Sequence, residues 1–526
     1  MRANPLRYDA PVAPLAPFVS ILLDDHAAAY STPSPAPPDC FHDLGLDQIV
    51  QAVTAPWKDY DLAGFFHVNL RDEDAVAYRQ EVMRDLEQPL NMAVVRDFTA
   101  RLRTMREQLP LATKGYSEHE RNRWYLDAAL LYGEAVETLQ SMLAPLLLHS
   151  RGLRRWRSHV NDYAQSPGFV RMMAQARQVE HDLSAITYTV AIDGANVVVR
   201  CYDGEADYTA EVEQTFAKFR RGAARDYLSK LRTAVGLNHI EAQVLDCVAR
   251  LNLDVFGALA AFRAEHGQFI DKRVERFDRE IHFYIAWLDF IAPFRQASLP
   301  FCYPHVSTSS KEVSAAGGFD LALAQRLLAQ QEAVVCNDFR LSGAERMFVV
   351  TGPNHGGKTT FARMFGQLHW LASLGCPVPG SNARLFLFDR LFTHFEHEED
   401  IDNLRGKLHD DLVRVHRILE QATPASVVVM NEIFSSTTLR DAVFLGREIL
   451  ARLCRLDLLA VCVTFLDELA SFAPAVVSLV AAIDPNDPAA RSFKLERRAA
   501  DGLAHALAIA EKYHVTEAWL KERIAP

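Results

Sequence analysis

From about Ser117 to Leu148 the apolar residues Trp124, Ala128, Leu131, Ala135, Leu139, Met142 and Leu146 recur every three or four positions. That spacing predicts a long amphipathic helix with one buried stripe. Phe277, Ile281, Tyr284, Leu288 and Ile291 repeat the pattern further along. Between the two stripes the period drops to two, through Ile186, Tyr188, Val190 and Ile192, then Asp193-Gly194, then Val197, Val199 and Cys201. Alternation on both sides of Asp-Gly predicts a β-hairpin. Helix, hairpin and returning helix describe an arm with a small β tip near 186–206, since antiparallel helices can bury such stripes against each other. An ordinary helical bundle satisfies the same periodicity.

Before the first stripe, residues 39–108 mix short helical patterns with loops, and Arg71-Asp-Glu-Asp-Ala-Val-Ala-Tyr-Arg-Gln-Glu-Val82 reads as part of a connecting core layer. Past about Glu332 the order becomes strand, loop, helix, strand, helix, as expected of an α/β domain with a mostly parallel sheet. Eight prolines fall in the first 38 residues, ending in Ser31-Thr-Pro-Ser-Pro-Ala-Pro-Pro38, which favours an extended arm. The expected division is a Pro-rich leader or linker at 1–39, a helical region at 40–330 and an α/β domain at 331–526.

With 526 residues the chain is long enough for three or four domains of roughly 150 residues. Hydrophobic residues make up 49% and charged residues 23%, the balance of a soluble globular protein and not of a disordered or fibrous one. The net charge of -11 means that a nucleic-acid partner has to be held by local basic patches against the overall field. Eight cysteines stand without a CxxC pair or other short spacing, which predicts reduced thiols and no structural zinc. Apolar runs such as Leu458 to Leu466 fall short of the roughly 20 residues needed to cross a bilayer. The N-terminal apolar run is broken by prolines and followed by Asp24 and Asp25, unlike a secretory signal. A cytoplasmic chain is expected.

The chemistry concentrates in the last 200 residues or so. The strand-like run Met347-Phe-Val-Val-Thr351 leads into Gly352-Pro-Asn-His-Gly-Gly-Lys-Thr359, which fits G-x-x-x-x-G-K-[ST] at every fixed position. Glycines let backbone N–H groups curl around phosphate oxygens, Lys358 supplies a point charge to the β/γ phosphates, and the Thr359 hydroxyl can ligate magnesium. The candidates for nucleotide contact are Asn337, Gly352, Pro353, Asn354, His355, Gly356, Gly357, Lys358, Thr359 and Thr360, with ATP and Mg2+ as the ligands. Ser426-Val-Val-Val-Met-Asn-Glu432 supplies the apolar strand of a Walker B element, with Asn431 where Asp is usual. Asn431 is the candidate to hold magnesium through water, and Glu432 is the candidate catalytic base that polarises the attacking water. A core strand capped by polar residues, in a protein that binds nucleotide but barely hydrolyses it, is the alternative. In Thr393-His-Phe-Glu-His-Glu-Glu-Asp400 the spacing of His394 and His397 lacks the H-x-x-x-H of a helical metal site, so a polar loop near the nucleotide is preferred.

Thr351-Gly-Pro-Asn-His-Gly-Gly-Lys-Thr-Thr360 resembles the ATPase domain of the MutS family, whose loop reads TGPNMGGKST; His355 replaces the Met and Thr359 the Ser. Gly375-Cys-Pro-Val-Pro-Gly380 is similar to the family's GCFVPA, and Asp389-Arg-Leu-Phe-Thr393 to its DRIFTR. Ile418-Leu-Glu-Gln-Ala-Thr423 and Asn431-Glu432-Ile433 follow in family order, over about residues 334–525. The resemblance implies a multidomain fold: a helical core and lever arm with a small β tip, then an α/β P-loop (ABC-type) ATPase domain. It also implies a dimer through the ATPase domains whose paired levers reach around DNA. Three departures bear on hydrolysis. DEIGRGTS is here Asn431-Glu-Ile-Phe-Ser-Ser-Thr-Thr438, the histidine of THYFEL is Phe465, and a signature Ser-Thr aligns on Gly406-Lys407. A slow ATPase is expected. A mismatch-sensing domain with its Phe-x-Glu wedge is not expected before the core, nor a nuclease tail after the ATPase domain.

Two basic groups are candidates for DNA contact: Arg151, Arg154, Arg155 and Arg157 around Trp156, expected near the arm's tip, and Lys218, Arg220, Arg221 and Arg225. Solvated helix faces paired with nearby carboxylates are the bland alternative. The expected function is an ATP-gated clamp on duplex or branched DNA of the repair or recombination type, without mismatch sensing. A nucleotide-gated protein-interaction scaffold is the alternative.

Overall fold

The computed structural model describes residues 18–24, 36–194, 196–204, 237–354, 356–396, 407–434, 437–483 and 491–500, with 519, 521 and 523. Most of the expected leader, His355, His397, Glu398, Asp400, Gly406 and the basic group Lys218, Arg220, Arg221 and Arg225 lie outside the described residues. The described residues form two compact units. One comprises Phe18, Leu86–His149 and Leu153–Asp278; the other comprises Val19–Asp85, Ser150–Gly152 and the residues from Arg279 onward.

The first unit is a bundle. Its longest helix, Glu118–Leu143, starts where the Ser117 side chain accepts from the Glu120 N–H, a standard N-cap. The helix packs along Pro89–Gln108 and also against Pro167–Ser184 and Leu253–Glu265. Its buried arc is therefore wider than one stripe and takes in Tyr125, Leu126, Ala129, Tyr132, Gly133 and Val136 beside Ala128, Ala135 and Leu139. Trp124 and Leu131 are only half-buried and Met142 is exposed, which corrects the expected face. Gly133 is required by close approach: a Cβ there would overlap the Met173 thioether. Several neighbours, not one, cover this helix, as in the helical bundle that the same periodicity allows.

The hairpin forms as predicted, with β1 (Tyr188–Asp193) antiparallel to β2 (Asn196–Cys201) and Asp193 opposite Asn196. Its alternating residues are not a buried face, since Tyr188, Val190 and Val197 are exposed. Elsewhere in this unit Trp156 is fully buried and stacks on Phe277 with centroids 3.9 Å apart. Phe277 opens the second predicted stripe, and all five of its residues are buried along the helix Lys272–Gln296, whose residues are divided between the two units at Asp278.

The second unit is built on sheets. β3 (Phe301–Cys302), β4 (His305–Ser307), β5 (Val313–Gly318), β6 (Asn337–Leu341), β7 (Met347–Thr351), β8 (Val378–Pro379), β9 (Asn382–Phe386), β10 (Leu391–Phe395), β11 (Val427–Asn431), β12 (Leu459–Val463), β13 (Val476–Ile483) and β14 (Arg491–Arg497) follow one another along the chain. Six of them form a sheet in the order β10-β11-β12-β7-β13-β14, parallel except for the last pair. β7, β11 and β12 are buried at all five positions, which explains their unbroken apolar runs, since a parallel strand is covered on both faces. On one face Val428, Met430 and Val349 meet Val415 and Ile418 of helix Lys407–Gln421 and Ile449, Leu450 and Leu453 of helix Leu439–Arg455. On the other, Phe348 packs edge-on against Phe361 and Phe365 of helix Lys358–Ser373.

A second, mixed sheet runs β4-β9-β5-β6. It moves the expected boundary at 330/331, because β4 and β5 lie before it and pair with β9 and β6 after it. Sequence periodicity does not see this, since short strands on either side of helix Leu321–Ala329 carry no pairing information. All eight cysteines are free thiols. Among the described residues no helix is long and apolar enough to cross a membrane.

Candidate phosphate-binding site

β7 ends at Thr351, and the chain turns through 352–357 into the helix Lys358–Ser373. Gly352 and Gly357 stand at φ 115° and 90°, a region in which side chains are strained. A Cβ on Gly352 would also come within 3.0 Å of the Ala481 backbone nitrogen, and one on Gly356 within 2.8 Å of the Ala481 Cβ. β13 thus backs the loop so closely that only bare backbone fits. The helix starts with no side-chain cap, the arrangement in which its first N–H groups meet an anion.

Lys358 follows at once and is 4% exposed. Its Nζ donates to Gly352 O at 2.7 Å and to Pro353 O at 3.2 Å. One residue on, the Thr359 hydroxyl donates to Asn431 Oδ1 at 2.8 Å. Asn431 ends β11, in register with Phe395 of β10 and Val463 of β12, and β12 separates β11 from β7. The fold therefore brings the start of the helix after the loop and the end of β11 together. Pro353 and Gly356 are buried, Thr359 and Thr360 half-buried and Asn354 exposed.

Glu432 is half-buried at the next position, with φ 58°, and its N–H donates to Val463 O at 2.9 Å. Phe434 repeats the left-handed conformation at φ 59°. Such residues cost on the order of 1–3 kcal/mol each, and such strain clusters at functional sites. A carboxylate presented on a strained bend at the C-terminal end of a parallel strand lies where open α/β sheets bind ligands. The donor set fits the expected ligands. Backbone N–H groups and an ammonium suit phosphate, and a hydroxyl beside a carboxamide oxygen suits an oxygen-liganded cation such as magnesium.

Residues 348–517, which hold all of these groups except Asn337 and Met347, match the family model of MutS domain V. That segment, about a third of the chain, is similar to MutS domain V. The chain is 29% identical over 159 residues to the DNA mismatch repair protein MutS of Fervidobacterium nodosum, covering 30% of this chain and 19% of that protein. It is 32% identical over 195 residues to the Endonuclease MutS2 of Gemmatimonas aurantiaca, covering 36% of this chain and 24% of that protein. The likeness thus spans about a fifth to a quarter of the length of these MutS relatives.

Around the loop the structure adds three neighbours that motif spacing does not reveal: Ala481, Phe465 and Phe493. Phe465, just past β12, has its ring centroid 4.3 Å from Lys358 Nζ. Phe493 of β14 lies against Gly357, where a Cβ would meet its carbonyl oxygen at 3.4 Å. Asn337, expected to touch nucleotide, instead donates from Nδ2 to Phe493 O at 3.0 Å and accepts at Oδ1 from Leu495 N at 2.8 Å. Its side chain holds β14 beside the loop.

Thr393 and His394 belong to β10 rather than to a loop. His394 is 1% exposed, with Nε2 3.4 Å from Asp411 Oδ1. Among the described residues no group of three or more His, Cys, Asp or Glu is placed to hold a metal.

Arg151, Arg154, Arg155 and Arg157 are all half-buried. Arg151 belongs to the second unit. It binds Asp74 at 2.9 Å, Glu81 at 3.1 Å and Asp24 at 3.5 Å, and the Asp74 and Glu81 carboxylates raise its pKa. Arg157 donates to Leu146 O at 2.9 Å. Sequence missed both roles because the carboxylates and the carbonyl arrive from elsewhere in the chain.

Proposed function

We propose that this protein is a slow ATPase of the MutS family that grips duplex or branched DNA under nucleotide control, without selecting mismatched pairs. The observation that carries the reading is the 2.8 Å hydrogen bond from Thr359 to Asn431, which joins the start of the helix after the loop to the end of β11 beside a buried lysine. Lys358 would neutralise β/γ phosphate charge, and Thr359 with Asn431 would hold magnesium, the latter through water. Magnesium, when bound, draws charge from the phosphate oxygens. Glu432 orients the attacking water and accepts its proton. Asn431 carries no charge and so attracts the cation less than an aspartate, which supports slow turnover.

In this reading the sheet unit is the ATPase domain, it pairs with a second copy of itself, and the helical unit is the lever that contacts DNA. Support comes from the relatives that share the matched domain, a DNA mismatch repair protein and an endonuclease by name. The second reading is a nucleotide-gated scaffold for a protein partner. It is favoured by the engagement of Arg151 with three carboxylates of its own chain.

ATP hydrolysis measured with and without matched, G·T-mismatched and four-way-junction DNA at two salt concentrations tests the proposal. ATP turnover together with salt-dependent DNA binding is expected. Absence of DNA binding at low salt selects the scaffold. A thermal shift with ATP and magnesium that is equal in wild type and Lys358→Ala rejects the loop as the binding site.

A further inference from the structure

Lys358 is enclosed on two sides by its own loop and on a third by an aromatic ring. Its Nζ gives hydrogen bonds to the carbonyls of Gly352 and Pro353, and the Phe465 centroid stands 4.3 Å away. That distance is well within cation–π range, where the negative face of the ring attracts the ammonium. Phe465 comes from the segment just past β12, the strand between β7 and β11. The residue before it, Thr464, is 2% exposed, and its hydroxyl accepts from Leu466 N at 3.1 Å. The polar side chain at this strand end therefore turns inward, and the aromatic one faces the cation.

The consequence concerns what distinguishes a nucleoside triphosphate from a diphosphate. The extra phosphoryl brings charge, and a site prefers it only as far as cations and hydrogen-bond donors are aimed at it. Among the described residues three elements converge beside Lys358: the loop, the end of β11 and the end of β12. β11 offers a neutral carboxamide at Asn431, and β12 offers a ring that can donate nothing to a phosphate oxygen. The ring also stabilises the lysine in its present position against its own carbonyls.

Resting on the nucleotide-site reading above, we propose that Phe465 is the specificity-determining residue of this site. By supplying no donor to the additional phosphoryl group, it makes the site accept a nucleoside diphosphate as readily as a triphosphate. A site of this kind retains its hydrolysis product, which accords with a slow ATPase.

The test is a titration with fluorescent N-methylanthraniloyl-ADP and with the non-hydrolysable β,γ-imido analogue of N-methylanthraniloyl-ATP, both with magnesium. The proteins are wild type, Phe465→Leu, Phe465→His and Lys358→Ala. Phe465 is 49% exposed, so its replacements leave the core untouched, and an unchanged melting temperature without nucleotide confirms this. In wild type the two dissociation constants should agree within about threefold. Phe465→Leu removes the ring's hold on Lys358 and should tighten both nucleotides by about threefold with the ratio unchanged. Phe465→His introduces a donor of similar shape and should shift the ratio toward the triphosphate by about tenfold. A wild-type preference for the triphosphate of about tenfold or more, or a ratio that Phe465→His leaves unmoved, overturns the assignment. Failure of wild type to bind either probe, or equal binding by Lys358→Ala, is a different result: it rejects the nucleotide site itself.

Discussion

The Thr359 hydroxyl donates to Asn431 Oδ1 at 2.8 Å, so a residue that opens a helix and a residue that ends a strand share one polar contact. An aspartate at 431 would receive the same hydrogen bond and add a negative charge. Asn431→Asp should therefore lower the magnesium concentration needed for half-maximal ATP hydrolysis by several-fold. A magnesium titration of the two proteins checks it, and an unchanged requirement would place the cation away from residue 431.

Glu432 joins its proposed chemical role to a strained backbone at φ 58°. Glu432→Gly should abolish turnover while leaving nucleotide binding in place, and it should stabilise the protein by about 1 kcal/mol, because glycine adopts this conformation without strain. Glu432→Ala should lose turnover without that gain. Chemical denaturation of the three proteins, run beside an ATPase assay, separates the effects. Equal stabilities of the glycine and alanine variants would remove strain from the account.

His369 provides a pH test of the sheet unit. Its Nδ1 lies 2.8 Å from Phe365 O, Nε2 is buried without a partner, and burial lowers the pKa to about 4. The folded protein thus keeps this ring neutral at pH values where the unfolded chain, titrating at the ordinary value of 6.5, takes up a proton. Stability from this group is complete above about pH 6.5 and is lost as pH falls toward 4, by about 3 kcal/mol in all. His369→Leu should show a shallower loss of melting temperature across that interval. Parallel pH profiles would contradict it.

In the helical unit, Gly133→Ala places a methyl group where the Met173 thioether now lies. Overpacking of this kind should cost about 1–3 kcal/mol. Adding Met173→Ala to the same chain should recover part of the loss, since the two positions share one volume. A double-mutant cycle in urea measures it, and strict additivity would show that the helices do not meet there.

The proposed grip on DNA makes its own demand. Arg154→Glu with Arg155→Glu should weaken binding to matched, mismatched and four-way-junction DNA alike and flatten the salt slope. Arg151→Ala should instead lower the melting temperature, because Arg151 is already bound by Asp74 and Glu81. Titrations on the three DNAs decide between these patterns. A preference of about tenfold, roughly 1.4 kcal/mol, for a mismatch over the matched duplex would refute phosphate-only contact.

What sequence made legible follows from which constraints are local. The loop, its helix and strands β7 and β11 were readable because glycines, a lysine, a hydroxyl and buried apolar runs are each dictated by what the neighbouring few residues must do. The hairpin was readable for the same reason, from Asp193-Gly194. The face of Glu118–Leu143 was not, since several partners cover that helix and widen its buried arc beyond a stripe. The left-handed turn at Glu432 carries no glycine to announce it. Pairing of β4 and β5 with β9 and β6, the Arg151 ion network and the ring over Lys358 all depend on residues far apart in the chain, where spacing is silent.

Ala481 and Phe493 stand behind the loop glycines, and Asn337 pins β14 in place there. In translation order this wall follows the loop. A growing chain that has emerged through Ser373 already holds every residue of the loop motif, yet the surface against which 352–357 are moulded has still to be made. The loop is therefore shaped only when β13 and β14 join the sheet, and a ribosome-bound chain halted before Val476 should carry the motif in full while remaining blind to the nucleotide proposed for it.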